Sequence, residues 1–238
     1  MVHESDLLKE EDPLLWWLIQ RSADLSDDER LREISQKFIQ SFKAKYPTSV
    51  WMHLVDPPSY MPLYPESVSH IPEYQQLFLY GGSCYQRLLE TRVIQEQLEA
   101  GFCRQMNHYG GACYANQLLG FHLISQNECL PQVQIEVLER YLIERIHKQL
   151  TWDPRVVELY IQRLMMLALK GQADKIKPIW IHHVLKNQRP DGGWADFNPI
   201  LTLGPSRAFG FTSSSIVITT PKSQLYPTVQ GVLLTSLL

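Results

Sequence analysis

The 238-residue sequence predicts an all-α protein of stacked helical hairpins, crossed by a proline-rich strap. Three observations carry that prediction. Apolar residues recur at helical spacing through most of the chain, and two such stretches open on an acidic cap followed by proline. From about Gly111 onward, stretches that are apolar all round alternate with stretches that are apolar on one face. Stacked hairpins do this when they close into a ring or solenoid, with one helix of each pair inside and one outside. Between the last two of them, Lys186-Asn187-Gln188-Arg189-Pro190-Asp191-Gly192-Gly193-Trp194 reads as a helix end and a tight reversal.

Asp12-Pro13 opens the first helix, which continues through Leu14, Leu15, Trp16, Trp17, Leu18 and Ile19. Ser26-Asp27-Asp28-Glu29 has the spacing of a capping box, and Leu31, Ile34, Phe38 and Phe42 follow at helical intervals to about Lys45. Residues 1–45 therefore read as an N-terminal helical hairpin. In 46–72, prolines at 47, 57, 58, 62, 65 and 72 remove too many backbone donors for a helix or a central strand. Trp51, Met52, Leu54, Tyr60, Met61, Leu63 and Tyr64 make the same stretch too apolar for a solvated linker, so it reads as an extended strap packed on a helical body formed by 73–238.

Within that body Tyr80-Gly81-Gly82-Ser83-Cys84-Tyr85 is echoed by Tyr109-Gly110-Gly111-Ala112-Cys113-Tyr114. Two readings fit. In the preferred one, small residues let the next helix pack closely; in the other, each copy is a helix N-terminus whose dipole lowers a cysteine pKa or holds an anion. The helix that follows Gly111 carries Cys113, Asn116 and Gly120 on one stripe. Pro131 then opens an amphipathic helix with Val133, Val137, Leu138, Tyr141, Leu142 and Ile146 on its apolar face and Glu136, Glu139, Arg140, Glu144 and Lys148 elsewhere. Asp153-Pro154 caps a helix apolar on nearly every side, with Arg155, Glu158 and Gln162 as one polar stripe. Ile176 to Gln188 is amphipathic again, and the last helix starts near Pro227.

Composition narrows the function classes. A hydrophobic share of 45% is ample for one core, so one domain overall is expected. A net charge of −3, with no basic cluster interleaved with aromatics, argues against nucleic acid as a partner. No apolar run reaches the length of a membrane span, and the acidic N-terminus lacks a secretory leader's basic start, which points to the cytoplasm. Cys84, Cys103, Cys113 and Cys129 form no Cys-x-x-Cys pair, so reduced, partly buried thiols are expected. His108 and Cys113 are two metal-ligand types without a third or fourth, His122 lies on the apolar side of its helix, and His182-His183 diverge by about 100 degrees. No metal site is implied, and the cofactor is left open.

Val184, Gln188, Gly192 and Trp194 stand at the spacing of the QW repeat, and the stretch resembles that repeat of the terpenoid cyclase and protein prenyltransferase superfamily. The resemblance implies a partial α/α toroid, with this turn ending an outer helix and Tyr226-Pro227-Thr228-Val229-Gln230-Gly231 opening the next inner one. Physically the turn is a staple. Gln188 can bond free backbone groups of the neighbouring helix, Gly192 and Gly193 permit the reversal, and Trp194 covers the amide with an apolar plane. The family's Asp-x-Asp-Asp acid, Asp-rich magnesium motifs and zinc ligands have no counterpart here, so the resemblance concerns fold more than chemistry.

If inner helices line a cavity, the polar stripes point into it. Glu158 and Asp196 are then the candidate catalytic carboxylates, with Cys113, Asn116, Arg155, Gln162, Arg207 and Gln230 as ligand-binding residues. An ordinary Arg155–Glu158 ion pair is the plainer alternative. The stretch from Asp196 to Tyr226, with its strand-like Ile216-Val217-Ile218-Thr219, reads either as an ordered lid or β-hairpin bringing Asp196, Arg207 and Phe211 to the ligand, or as disordered. The expected function is an enzyme or binding protein for an apolar, isoprenoid-like small molecule. The alternatives are a non-catalytic scaffold holding a protein or peptide on its concave face and a carbohydrate-active helical ring. The apolar run to Leu238, with no outer helix after it, raises the expectation of an oligomer through the C-terminal helix.

Overall fold

The computed structural model describes residues 11–57, 63–105 and 111–238. The chain is mostly helical with one small sheet, so all-α holds except for three strands between the last two helices. The first hairpin pairs α1 (Pro13–Ser26) with α2 (Glu29–Lys45), and Trp16 stacks on Phe38 with ring centroids 4.1 Å apart. Asp12 caps α1 as expected, accepting from the Leu14 and Leu15 amides at 2.9 and 3.4 Å. The capping box does not form. Asp28, not Ser26, caps α2, because Asp27 turns left-handed with φ 53° and the Ser26 hydroxyl stays in α1, bonded to the Ser22 carbonyl.

The strap is buried as expected but not simply extended. Single helical turns form at α3 (Met52–Val55) and α4 (Pro65–Val68), sinking Met52, Leu54, Leu63, Val68 and Ile71 into the core. Tyr60, Met61, Pro58 and Pro62 lie outside the described residues. After α5 (Glu73–Ser83) come three short helices, α6 (Gln86–Leu89), α7 (Arg92–Gln97) and α8 (Phe102–Gln105), then α9 (Cys113–Gln126) and α10 (Gln132–Trp152). A Cβ added at Gly120 would sit 2.4 Å from Leu77 and one at Gly81 2.8 Å from Leu123, so α5 and α9 approach to backbone contact. The contacting pairs advance together along both helices, which makes them parallel.

The two Gly-Gly echoes therefore differ in role. The first lies at the C-terminal end of α5, where Cys84 takes the left-handed cap position, and the second leads into the N-terminus of α9. Neither carries a free thiol. Cys84 is bonded to Cys129 and Cys103 to Cys113, which corrects the expectation of reduced cysteines. The partners are distant or irregularly spaced in sequence, and it is the α5–α9 packing that brings Cys84 to the residue just beyond α9.

Two further expectations change. α10 buries Ile135, Glu139, Leu142, Ile146 and Leu150, leaving Val133 and Val137 exposed. The acid is inside because Lys170 pairs with it at 2.6 Å with both side chains largely buried. The next helix, α11 (Glu158–Leu169), begins at Glu158 rather than at Pro154, because Asp153 is held by two arginines instead of capping it. A 3-10 turn (Ala173–Lys175) and α12 (Pro178–Lys186) follow. The antiparallel sheet comes next, β1 (Asn198–Thr202), β2 (Ala208–Phe211) and β3 (Ile216–Thr219) in that order, and α13 (Leu225–Leu237) ends the fold.

α1 packs on α3, α3 on α5, α5 on α9, α9 on α11, α11 on α13, and α13 back on α1. One hydrophobic core runs through all of them, from Leu14 through the strap to Leu234. Tyr160, Met165 and Met166 lie inside it, each at most 1% exposed. α13 sits between α1 and α11 and buries Val229, Leu233 and Leu234 there.

Candidate functional site

The turn after α12 is a staple, built differently from expectation. Gln188 is exposed and its amide donates to the Gly192 carbonyl at 2.8 Å, within its own turn. Trp194 makes the inter-element bonds instead: its indole N–H reaches the Val184 carbonyl at 2.9 Å, in the last turn of α12, and its backbone N–H reaches the Thr228 hydroxyl at 3.0 Å. A Cβ on Gly231 would fall 2.6 Å from the Trp194 ring, so that glycine is what lets α13 lie on the indole. Gly192 has φ +86°, which the reversal requires of a residue without a Cβ.

Two residues beyond Trp194 the chain reaches the candidate site. Asp196 lies beside the start of α11, where its Oδ1 accepts the Glu158 amide at 3.1 Å, and it also takes the Ser213 amide at 3.0 Å and the Ser213 hydroxyl. Asp196 thereby satisfies a free amide of α11 and ties the β2–β3 turn to it. The Asp196 amide donates to Gln224 Oε1, at the start of α13. The mouth so formed is a pocket of about 340 Å³ lined by Asp12, Leu15, Glu158, Asp196, Gln224 and Tyr226 among others. The N-terminal ends of α1, α11 and α13 all open onto it.

Glu158 is the chemically distinctive group. Glu158 is part-buried at the wall of the pocket, and its carboxyl makes no hydrogen bond or ion pair with any described residue. Burial, reinforced by the charge of Asp196, raises its pKa to about 7. Tyr226 is raised strongly as well, by burial and then by Asp12 and Glu158. The arrangement is a carboxyl poised near neutrality, beside a second carboxylate locked by three donors and a phenol held neutral. It can give and take a proton at pH 7.

The two predicted carboxylates, Glu158 and Asp196, are therefore brought together. The predicted ligand-binding residues scatter. Asn116 Oδ1 accepts from Gln162 Nε2 at 2.9 Å, joining α9 to α11 one turn beyond Glu158. Gln230 is 1% exposed, one turn beyond Tyr226, with its Oε1 unpartnered among the described residues. Cys113 is consumed in its disulfide. Arg155 does not pair with Glu158: it forms a two-point ion pair with Asp153 at 2.6 and 2.8 Å, and its guanidinium lies 5.9 Å from the Phe211 ring. Arg163, almost fully buried, takes the other side of Asp153 at 3.0 Å, and these two arginines outweigh burial to hold that carboxyl below its usual pKa.

The lid is ordered, and β3 coincides with Ile216–Thr219. It places Phe211 opposite Asn198, near Asp196, but leaves Arg207 exposed at the far end of the β1–β2 hairpin, away from the mouth. Asp12, Gln224 and Tyr226 were missed as site residues. Asp12 is legible only as a cap, and the approach of three helix starts is a tertiary fact. Among the histidines, His108 lies outside the described residues, and His122 is part-buried against Trp17, its pKa lowered by burial to about 4. Among the described residues no group of three acids, histidines or cysteines is arranged to hold a metal. No helix of the described residues is long and apolar enough to cross a membrane.

No protein-family model, no curated protein and no solved structure matches the chain.

Proposed function

We propose that the protein is a small-molecule-acting helical domain of α/α-toroid type that receives its ligand at the mouth and moves a proton with Glu158. The circuit of packed helices and the shared direction of α1, α11 and α13 support the toroid reading, as does the parallel α5–α9 pair. The observation that carries the function is the Glu158 carboxyl, part-buried in an open pocket, without a partner among the described residues and with its pKa raised to about 7. Stability alone would favour a paired or apolar residue there. Tyr160, Met165 and Met166 are packed into the core, so on this reading an apolar, isoprenoid-like ligand enters from the mouth.

A thermal-shift screen with prenyl diphosphates, triterpenes and oligosaccharides tests the reading, using wild type and Glu158→Gln. Stabilisation by one class in wild type, lost in the variant, is expected. Stabilisation by none, or equal stabilisation of both proteins, sinks it. A non-catalytic scaffold is the second reading, favoured by the filled interior and by Leu201, Ile216 and Ile218, each more than half exposed on the sheet. The two disulfides support folding in an oxidising compartment in place of the cytoplasm. Mass spectrometry of unreduced tryptic peptides from the native source should find both cross-links, and finding four free thiols would restore the cytoplasmic assignment.

A further inference from the structure

We propose that the mouth continues into a second subsite between α1 and α13, and that the two together take an apolar chain ending in a hydroxyl. The inference rests on the reading of the mouth as a ligand site. Its geometry begins with one stripe of α1. Asp12, Leu15, Ile19 and Ser22 follow one another at helical spacing on one face. The first two line the mouth, and the last two line a separate cleft of about 250 Å³.

The facing stripe belongs to α13. Leu225 lines both spaces and is only part-buried, so it is the divider between them, and Val229 and Val232 continue the wall of the cleft. Leu31 of α2 and the glycines of the Trp194 turn close the remaining sides. Since both helices start at the mouth, the seam runs inward from it. From Leu225 to Val232 is seven residues, or roughly 10 Å at helical rise. The surface of the cleft is mostly apolar, with Ser22, Asp191, Ser223 and Thr228 as its polar members, so an apolar chain of that length is what it would desolvate favourably.

The polar end follows from the charges at the mouth. Asp12 and Asp196 each accept backbone amides at helix starts, where the positive ends of α1 and α11 offset them. Among the described residues no lysine or arginine lines the mouth, so a carboxylate or phosphate head meets no cationic side chain of those residues there. An ammonium head would face three helix N-termini. A hydroxyl meets neither objection, since it can donate to Glu158 when that group is charged and accept from it when protonated.

The experiment is an NMR titration of the whole protein at pH 7 with 1-alkanols from four to ten carbons, and with octanoate and octylamine, following the Glu158 side-chain carboxyl. Alkanols should shift that signal, with affinity rising roughly fourfold per methylene until the chain fills the cleft. Octanoate and octylamine should bind at least tenfold more weakly than 1-octanol. Val232→Phe, which fills the cleft and does not line the mouth, should keep the butanol response and lose the chain-length dependence; Leu31→Phe, filling the same cleft from α2, should do the same and covers the case in which the first variant does not fold. A Glu158 response to butanol with no gain from longer chains overturns the second subsite and leaves the mouth intact. No response to any alkanol overturns the mouth reading itself, and tighter binding of octanoate or octylamine overturns the hydroxyl assignment.

Discussion

Trp194 and Glu158 stand on opposite sides of Asp196 and solve opposite problems. Around Trp194 the polar groups are paired: the indole N–H with Val184, the amide with the Thr228 hydroxyl, the carbonyl with the Gln224 amide. The ring itself is 3% exposed against Gly231. At the mouth, Asp196 is equally well paired, but the carboxyl it crowds has no partner among the described residues. Satisfied groups hold elements together at little cost, whereas a buried, unpaired acid costs stability and is retained where something can be bound or protonated. The contrast separates the part of this segment that builds the fold from the part that offers chemistry.

The largest expected effect is on the stapling side. Trp194→Ala removes a buried ring on which α13 rests and should destabilise the protein by about 4 kcal/mol in denaturant unfolding. A change below about 1 kcal/mol would mean that the indole is not the staple. Glu158→Gln should act in the other direction. The folded state holds the Glu158 proton more tightly than the unfolded chain, so ionisation costs stability progressively as pH rises from about 4.5 to about 7, and the full cost applies above that. The variant should therefore be more stable than wild type by about 3 kcal/mol at pH 8 and nearly equal to it at pH 4. A difference that does not change across that interval would remove the case for a raised pKa.

How much of this was readable beforehand depends on the range of the interactions. The caps at Asp12 and the strand at Ile216–Thr219 rest on local chemistry, and both were legible. Glu158 and Asp196 were legible as candidates because each is a lone acid in an apolar or loop setting, but what joins them is a bond across 38 residues. The disulfides and the Glu139–Lys170 pair are likewise products of packing, and periodicity assigned Glu139 to the solvent because it reads charge without its partner. Arg155 departs from the expected stripe for a local reason: two arginines capture Asp153, which therefore caps no helix, and α11 starts only at Glu158.

The smallest effect distinguishes the two members of the motif that names the staple. Sequence spacing gives Gln188 and Trp194 equal standing, yet Gln188 is exposed and its amide bonds only Gly192 in the same turn, four residues away. An exposed local hydrogen bond exchanges readily with water, so its loss should cost no more than about 0.5 kcal/mol. Trp194→Phe keeps most of the ring but removes the indole donor, leaving the Val184 carbonyl with the Asn187 amide alone, and should cost about 1 kcal/mol. Thermal unfolding of Gln188→Ala beside Trp194→Phe checks the order. If the glutamine variant proves the less stable of the two, the amide reaches backbone groups beyond its own turn, and the weight of the staple moves from the indole to Gln188.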